Sequence, residues 1–329
     1  MKILAVDDDS LIRQLLSEIL NAFGFTHVTF ASSGQEALDL VNADHIPFDC
    51  LLLDIQMPNM DGITLLSHLR NFEVYARTPI LMITAMSDRS YIDRAFSAGA
   101  TDYITKPFNV AELQARLTLV ETLVSERKQL QDRNPVGTIG NRNTMMMPAK
   151  TSERLHIEDV DCVIDYLSLE NYLLQMSRIS LLGNCVFGVV IRDAERIFKG
   201  SNEYEYRSAV TDVSEAISEC LKPHRYFVAH AGGGDFACLR DLGRQFDRDK
   251  FSAEVVQKIR EMEFHFCDGR AMLIDVVVSE PIQLDLKSPH GSIKSLLKVL
   301  TMAEFEAKST SNDPTTESTG SLKKMFNIG

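Results

Sequence analysis

Residues 51–58 read Leu-Leu-Leu-Asp-Ile-Gln-Met-Pro, an apolar run that stops at Asp54 and turns at Pro58. Short apolar runs bounded by turn signals are typical of strands that are buried on both faces, as in parallel sheets. Functional groups of open α/β sheets collect at the carboxyl ends of the strands. We therefore place the chemistry of this chain at Asp54.

The sequence on both sides of this strand alternates between strand and helix patterns over residues 1–120. Each strand candidate is followed by apolar residues at helical spacing, and the candidates are residues 3–6, 27–30, 51–54, 79–84 and 103–105. Consecutive βα units connect through right-handed crossovers into a parallel sheet with helices on both faces. The pattern predicts an α/β domain with a doubly wound, five-stranded parallel sheet.

Acidic residues at the ends of two of these strands predict a cation site. Asp7 and Asp8 follow the first strand and Asp54 ends the third, so three carboxylates meet at one edge of the sheet. Such a cluster must bind a cation or shift its pKa values. Mg2+ prefers oxygen ligands and bridges carboxylates to a phosphoryl group. The alternative for Asp7 and Asp8 is a structural role at a helix N-terminus, where acids are favoured.

Thr84 and Lys106 end the fourth and fifth strands at the same edge and point to phosphoryl chemistry. A carboxylate such as Asp54 can accept a phosphoryl group as a nucleophile. Lys106 would supply a positive charge to the phosphoryl oxygens, and the Thr84 hydroxyl would donate a hydrogen bond to one of them. Taken singly, Thr84 and Tyr103 also fit ordinary strand positions, but the set as a whole favours the functional interpretation.

These residues resemble the receiver domain of bacterial two-component response regulators, which has a flavodoxin-like fold. The matching motifs are Val6-Asp7-Asp8-Asp9-Ser10, Asp54 with Met57-Pro58 and Asp61-Gly62, Ile83-Thr84-Ala85, and Asp102-Tyr103 with Lys106-Pro107-Phe108. The resemblance implies that a sensor histidine kinase or a phosphotransfer protein phosphorylates Asp54, with Lys106 and Thr84 assisting.

The same resemblance implies Mg2+ as the cofactor, held by the side chains of Asp7, Asp8 and Asp54 and by the backbone carbonyl of Gln56. It also makes Thr84 and Tyr103 a switch pair that phosphorylation pulls inward. We expect this movement to reshape the face formed by the fourth and fifth helices and the fifth strand. The expected result is a change in dimerisation or the release of a second domain.

The composition indicates a cytoplasmic protein with no membrane or nucleic-acid partner. The chain has 329 residues, 45% of them hydrophobic, and a net charge of -12. No apolar run approaches the ~20 residues of a membrane span, and Met1-Lys2 leads directly into a strand pattern rather than a signal peptide. The acidic balance argues against a sequence-independent grip on nucleic acid, which needs a basic surface.

Residues 121–156 are predicted to be a helical extension followed by a linker. Apolar residues on the last helix of the first domain repeat at Leu113, Leu117, Val120 and Val124. This seam fits either a short parallel coiled coil between two copies of the chain or packing on the receiver core. Pro135 should end the helix, and the mostly polar residues after it are typical of a flexible linker.

Residues 157–307 change to an α+β pattern that contains a glycine-rich hairpin. This region resembles the GGDEF domain of diguanylate cyclases, because Gly232-Gly233-Gly234-Asp235-Phe236 falls on the signature. Asp193, which follows the strand Cys185 to Ile191, falls on the first metal-binding Asp of the family. The resemblance implies a nucleotide-binding role, in vestigial form, for Asp193, Gly232, Gly233 and Asp235.

Departures from the GGDEF pattern predict that this domain is not a working cyclase. The acidic metal ligand at the third signature position is replaced by Gly234, and Asp235 is shorter than the usual Glu. The Gly-Asp pair of the next helix is replaced by Ala209-Val210, and Asn202 is offset by one from the expected Asn. Metal-assisted phosphoryl transfer needs such carboxylates.

The expected output is therefore contact with a downstream protein through a catalytically silent GGDEF-like domain. A working diguanylate cyclase and a sensor of GTP or cyclic di-GMP are the alternatives. Asp193 and Asp235 have a structural alternative as turn or capping residues. Residues 308–329 are polar, and we expect them to be a disordered tail.

Overall fold

The computed structural model describes residues 1–85, 89–133, 153–242, 246–284 and 291–311. The predicted linker lies outside these ranges up to residue 152, and residues 153–156 of it are described. The predicted tail, residues 308–329, lies outside them from residue 312 onward, whereas residues 308–311 belong to a helix. None of the helices within them combines the length and the apolar character needed to cross a membrane.

The N-terminal sheet contains five parallel strands in the order β2-β1-β3-β4-β5. The strands are β1 (Lys2–Val6), β2 (His27–Ala31), β3 (Cys50–Asp54), β4 (Ile80–Thr84) and β5 (Asp102–Thr105). The leucines of β3 are fully buried, as expected for a central strand with helices on both sides. The doubly wound fold predicted for this region is confirmed.

Five helices cover the two faces of this sheet. They are α1 (Ser10–Ala22), α2 (Gly34–Ala43), α3 (Gly62–Arg70), α4 (Arg89–Ser97) and α5 (Val110–Arg133). The side chains of Asp9, Ser33 and Asp61 accept hydrogen bonds from backbone N–H groups in the first turns of α1, α2 and α3. These caps start the helices close to the strand ends and keep the loops at the carboxyl edge short.

The apolar seam of α5 packs inside the first domain. Leu113, Leu117, Val120 and Val124 are all buried in the core that α1 and α5 form with one face of the sheet. Further along the helix, Arg127 donates to the carbonyl of Arg77, and Lys128 Nζ lies 2.7 Å from Asp49 Oδ1. Of the two alternatives for this seam, the structure favours packing on the receiver core. The core extends to Val124, past the predicted domain boundary at residue 120.

The region from residue 157 onward, which we call the second domain, has α+β architecture. Its helices are α6 (Tyr166–Gln175), α7 (Arg178–Leu182), α8 (Ala194–Lys199), α9 (Glu203–Leu221), α10 (Arg248–Glu261) and α11 (Gly291–Ser311). Its strands are β6 (Asn184–Ile191), β7 (Tyr226–Gly232), β8 (Asp235–Asp241), β9 (Val276–Val278) and β10 (Ile282–Gln283).

The second sheet is antiparallel, with β10-β6-β8-β7 in order and β9 paired to β6. Strand β9 covers only Val276–Val278 and does not extend back to Ala271. Ala271 instead forms an isolated bridge with His265. Helix α11, which was not predicted from the sequence, packs on β6, β8 and β9.

The two domains meet where α6 contacts β5 of the first sheet and β7 of the second. Phe96 of α4 and Tyr172 of α6 are buried with their ring centroids 5.2 Å apart. Apolar side chains of α6 thus join the core that lies on the α2, α3 and α4 side of the first sheet.

Candidate functional site

Three carboxylates lie together at the carboxyl edge of the first sheet, as predicted. Val6 of β1 is in register with Leu53 of β3, so the residues that follow them, Asp7 and Asp54, emerge side by side. One carboxylate oxygen from each of Asp7, Asp8 and Asp54 lies within 4.8 Å of the others. Asp7 and Asp54 are buried, whereas Asp8 is exposed. Two of the three carboxylates are therefore buried, and the third lies on the side of the group that is open to solvent.

Lys106 closes this group from the end of β5. Its Nζ donates to Asp7 Oδ2 at 2.7 Å and to Asp54 Oδ1 at 3.0 Å. Burial raises the pKa of Asp54 above its ordinary value, although Lys106 acts in the opposite direction. Burial would lower the pKa of Lys106, but its hydrogen bonds with Asp7 and Asp54 raise it. Lys106 is therefore charged, and it offsets part of the negative charge of the cluster.

Thr84 and Tyr103 lie on the same face of the sheet. Met82 is in register with Tyr103, and Thr84 is two residues further along β4, so both side chains project to the side of α4. Thr84 is fully buried and Tyr103 is only 6% exposed. Burial raises the pKa of Tyr103 to about 12. The inward position that we expected to follow phosphorylation is therefore already occupied in this structure.

Two residues that sequence reasoning missed support the loops of this site. Arg13 of α1 donates through one nitrogen to the backbone carbonyls of Asp7 at 2.6 Å and Asp8 at 2.9 Å. Gly62 has no room for a side chain, because a Cβ there would collide with the backbone of Asp54. Gly62 was quoted only as part of a motif, and no signal in the sequence separated Arg13 from other helix-surface arginines.

Gln56 lies two residues after Asp54 in the loop that follows β3, and it is exposed. Its backbone lies outside the sheet, because β3 ends at Asp54. The three carboxylates of the cluster supply oxygen atoms, the donor type that a hard cation such as Mg2+ requires. The donor set thus fits the predicted cation.

The residues predicted for the second domain do not form a comparable group. The hairpin of β7 and β8 turns at Gly232 and Gly233, which have φ values of 116° and 62° as a tight glycine turn requires. Asp193 is exposed at the N-cap of α8. Asp235 bonds instead with Glu304 of α11, and burial with this second acid raises its pKa to about 7. Within the described ranges, the only three-membered acidic group of metal-site geometry is the one in the first domain.

The position of Gly234 has no space for the acid that the resemblance to the GGDEF signature predicts there. A Cβ atom built there would lie 2.6 Å from Ala194 Cβ and 2.9 Å from Ile191 Cβ. Val210, which stands at the position of the expected Asp, is fully buried. Asn202 accepts a hydrogen bond from the backbone of Glu205 as the N-cap of α9. Neighbouring side chains therefore fill the space at Gly234, Val210 packs in the core, and Asn202 caps a helix.

Comparison with known proteins agrees with the geometry of the first domain. The family described as the response regulator receiver domain matches residues 3–118. The transcriptional regulatory protein CrdR of Helicobacter pylori is 30% identical over 181 residues, which cover 54% of this chain and 82% of that protein. The chemotaxis protein CheY-3 of Vibrio cholerae is 40% identical over 117 residues, 36% of this chain and 88% of that protein.

Among solved structures, the chemotaxis protein CheY4 of Vibrio cholerae is 36% identical, covers 36% of this chain and 97% of its own, and has a TM-score of 0.34. The match of the family lies within the first domain, over the strands that carry the acidic cluster and Lys106. The predicted receiver domain is confirmed by the family and sequence matches. The chain therefore belongs to the response regulator family, and residues 3–118 form its receiver domain.

Proposed function

We propose that Asp54 is the phosphoacceptor of this response regulator and that a sensor histidine kinase or a phosphotransfer protein is the donor. The observation that carries the proposal is the contact of Lys106 with both Asp7 and Asp54 inside a group of three carboxylates. The Asp54 carboxylate is buried, lies beside the positive charge of Lys106 and belongs to a group with one side open to solvent. Such a carboxylate is suited to receiving an anionic group.

Asp7, Asp8 and Asp54, with the backbone carbonyl of Gln56, would hold Mg2+. When bound, the ion neutralises charge on the phosphoryl oxygens. A carboxylate oxygen of Asp54 attacks the phosphorus atom while the bond to the donor histidine nitrogen breaks, and that nitrogen keeps the electron pair. Lys106 holds the Asp54 carboxylate in place and offers its charge to the transferred group. The Thr84 hydroxyl donates a hydrogen bond to a phosphoryl oxygen.

The second domain, in this proposal, is a degenerate GGDEF domain that transmits the signal by contact with a downstream protein rather than by making a cyclic dinucleotide. Three features support this: the filled space at Gly234, the buried Val210, and the pairing of Asp235 with Glu304. At each of these positions, which a cyclase would use for metal or guanine, the side chain or the space is taken up by packing or by a bond to another side chain. The alternatives are a weakly active cyclase and a sensor of GTP or cyclic di-GMP.

Intact mass spectrometry of the purified chain tests the first part. After reaction with acetyl phosphate and Mg2+, the wild type should gain one phosphoryl group and Asp54→Asn should gain none. Asp193→Asn is the matched control, since it removes an exposed acid at a strand end of the other domain, and it should gain one. Incorporation into Asp54→Asn at the wild-type level would refute Asp54 as the acceptor.

Incubation with GTP and Mg2+ tests the second part, with the products separated by chromatography. We expect no cyclic dinucleotide from the wild type, whether or not it carries a phosphoryl group. Formation of such a product, lost in Asp193→Asn, would overturn the inactive assignment. Calorimetric titration with GTP and with cyclic di-GMP separates a silent domain from a nucleotide sensor, because only a sensor would release or absorb heat on binding.

A further inference from the structure

The stretch of chain that enters the second domain, residues 153–157, packs on the core of that domain, and we call it the strap. Leu155 and Ile157 are only 6% and 8% exposed, and both belong to the core that α9 and α10 form with one face of the second sheet. Glu153 and Arg154 are exposed. The end of the predicted linker is therefore held by the second domain.

A buried histidine fastens the strap to the hairpin turn. His230 of β7 is 1% exposed, and its Nδ1 accepts a hydrogen bond from the backbone N–H of Leu155 at 2.8 Å. Its Nε2 lies 3.0 Å from the carbonyl oxygen of Gly233. The hydroxyl of Tyr206 on α9 donates to the same oxygen, also at 3.0 Å. The ring of His230 thus bridges the strap and the glycine turn.

These two partners fix the protonation state of His230. A backbone N–H only donates and a carbonyl oxygen only accepts, so the ring must carry its proton on Nε2 and present a lone pair on Nδ1. A second proton, on Nδ1, would point at the N–H of Leu155. Protonation of His230 and its bond to the strap therefore exclude each other.

The charged groups around the ring do not favour a second proton. Burial is the main cause that lowers the pKa of His230 to about 4, and the positive charge of Arg154 on the strap acts in the same direction, while the bond to the turn opposes both. Glu153 of the strap and Asp235 of β8 lie near Tyr206 of α9 instead. Among the described residues, no carboxylate bonds to the His230 ring. A protonated ring would therefore be buried without a counter-ion.

The chain that follows the strap is held without His230. The N–H of Ile164 donates to the carbonyl of Val228 at 2.9 Å, and the N–H of Val228 donates to the carbonyl of Cys162 at 3.0 Å, which pairs this stretch with β7. The hydroxyl of Ser218 on α9 donates to the carbonyl of Asp161 at 2.9 Å. None of these bonds uses a group that titrates near neutral pH. They are therefore expected to remain when the bond of Leu155 is lost.

We propose that His230 is an acid-sensitive latch, whose neutral ring holds the strap on the hairpin turn and whose protonation on Nδ1 releases it. Release detaches residues 153–157 from the second domain and opens the core beneath Leu155 and Ile157 to solvent. Residues 161–164 stay paired with β7, so the change is local. The latch lies within the second domain and does not depend on the role of Asp54.

Linkage sets the direction and the size of the effect. A histidine that is released to solvent titrates near its ordinary pKa of about 6.5, whereas the latched ring has a pKa of about 4. The latch is therefore fully effective above pH 6.5 and is lost as pH falls toward 4. Between these values, each unit of falling pH should favour the released strap about tenfold.

Hydrogen exchange of the full chain between pH 4.5 and pH 7.5, resolved by residue with NMR, tests the latch. The protection factor of the Leu155 amide, corrected for the intrinsic pH dependence of exchange, should fall about tenfold per unit between pH 6 and pH 4.5. The Ile164 amide is the internal control, because its acceptor is a backbone carbonyl, and its protection should not change. A constant factor at Leu155 would overturn the inference. Equal losses at both amides would also overturn it, since general acid unfolding would then explain them.

Two substitutions separate the roles of the ring nitrogens. His230→Asn places an amide oxygen near the position of Nδ1, so the variant keeps an acceptor for Leu155 but cannot titrate. His230→Gln places its amide near the position of Nε2 and leaves the Leu155 N–H without an acceptor. We expect protection of Leu155 to be independent of pH in the Asn variant and about tenfold lower than in the wild type at pH 7.5 in the Gln variant.

A pH profile of the Asn variant that matches the wild type would overturn the inference, because another group would then titrate. If neither variant folds, the ring signals of His230 in the wild type decide the question. They should report a neutral ring wherever Leu155 is protected. A protonated ring beside a fully protected Leu155 amide would refute the latch.

Discussion

The carboxyl edge of the receiver sheet and the hairpin of the second domain both place acidic side chains where strands end, yet they differ in what surrounds those acids. In the receiver, Asp7 and Asp54 share Lys106 and keep an open side at Asp8. In the hairpin, Asp235 shares its site with another acid, Glu304, and the neighbouring position at Gly234 is filled. The two acidic motifs therefore differ in the charge partners of their acids and in the free space beside them.

Removal of the positive charge of Lys106 should have the largest effect of the changes that test this difference between the two acidic sites. Lys106→Met keeps the length of the side chain but removes its charge from Asp54 and from the incoming phosphoryl group. We expect phosphorylation by acetyl phosphate to slow about a hundredfold, as for other losses of one charge-stabilising donor. The rate follows from mass spectra taken over time at saturating Mg2+.

Lys199→Met is the matched control for that measurement. Lys199 pairs with Glu195 on the surface of α8 and is 71% exposed, so its loss should leave the rate unchanged. Equal rates for Lys106→Met and the wild type would remove the main distinction between the two acidic sites.

A methyl group at Gly234 tests whether the hairpin site is closed. Gly234→Ala should lower the free energy of unfolding by about 2 kcal/mol, because the added Cβ meets two other Cβ atoms that cannot swing away. The measurement is urea denaturation followed by circular dichroism. Gly200→Ala meets only ordinary contacts and should change stability by no more than about 0.5 kcal/mol. Tolerance of both substitutions would mean that the hairpin has room for the missing acid.

Loss of Arg13 should weaken the receiver site without touching its carboxylates. Arg13→Ala frees the two backbone carbonyls of the loop that carries Asp7 and Asp8. We expect Mg2+ affinity to fall about tenfold, the usual scale for residues that orient ligands. Calorimetric titration with Mg2+ measures this, and Arg270→Ala, an exposed arginine of the second domain, should have no effect. An unaltered affinity in Arg13→Ala would show that the loop needs no such anchor.

The smallest expected effect is the pH dependence of stability that Asp235 causes. The pKa of Asp235 is raised to about 7, first by burial and then by Glu304, while Lys308 acts to lower it. The folded state therefore holds a proton that the unfolded chain releases above a pKa of about 3.9. This contribution to stability is present at low pH and is lost as pH rises toward 7.

Urea denaturation of the wild type and Asp235→Asn between pH 5 and pH 8 measures this contribution. The amide cannot ionise, so the stability advantage of the variant over the wild type should grow with pH up to about 7 and then level off. Parallel pH profiles for the two proteins would show that Asp235 does not keep its proton. In that case the pairing of Asp235 with Glu304 would no longer distinguish the hairpin from the receiver site.

Much of the receiver fold was predictable because its strands and helices follow a local sequence pattern that repeats along the chain. Apolar runs such as Leu51–Leu53 mark buried strands, and parallel strands necessarily bring their carboxyl ends to one edge. The meeting of Asp7, Asp54 and Lys106 followed from that rule alone. The glycine turn at Gly232 and Gly233 was predictable for a similar reason, since only a few residue types adopt positive φ.

Several contacts depend on the tertiary structure and cannot be predicted from the spacing of apolar residues. The seam from Leu113 to Val124 fits a coiled coil and a core equally well, and only packing against α1 and the sheet distinguishes them. Asp235 and Glu304 are distant in sequence and meet because α11 covers the second sheet. Tyr172 and Asp93 belong to different domains, and their hydrogen bond depends on how those domains dock. Sequence by itself determined the five strands of the receiver and the residues at their ends, since both follow from local pattern and parallel topology. Which of those residues have room, charge partners and neighbours was decided by packing between distant segments.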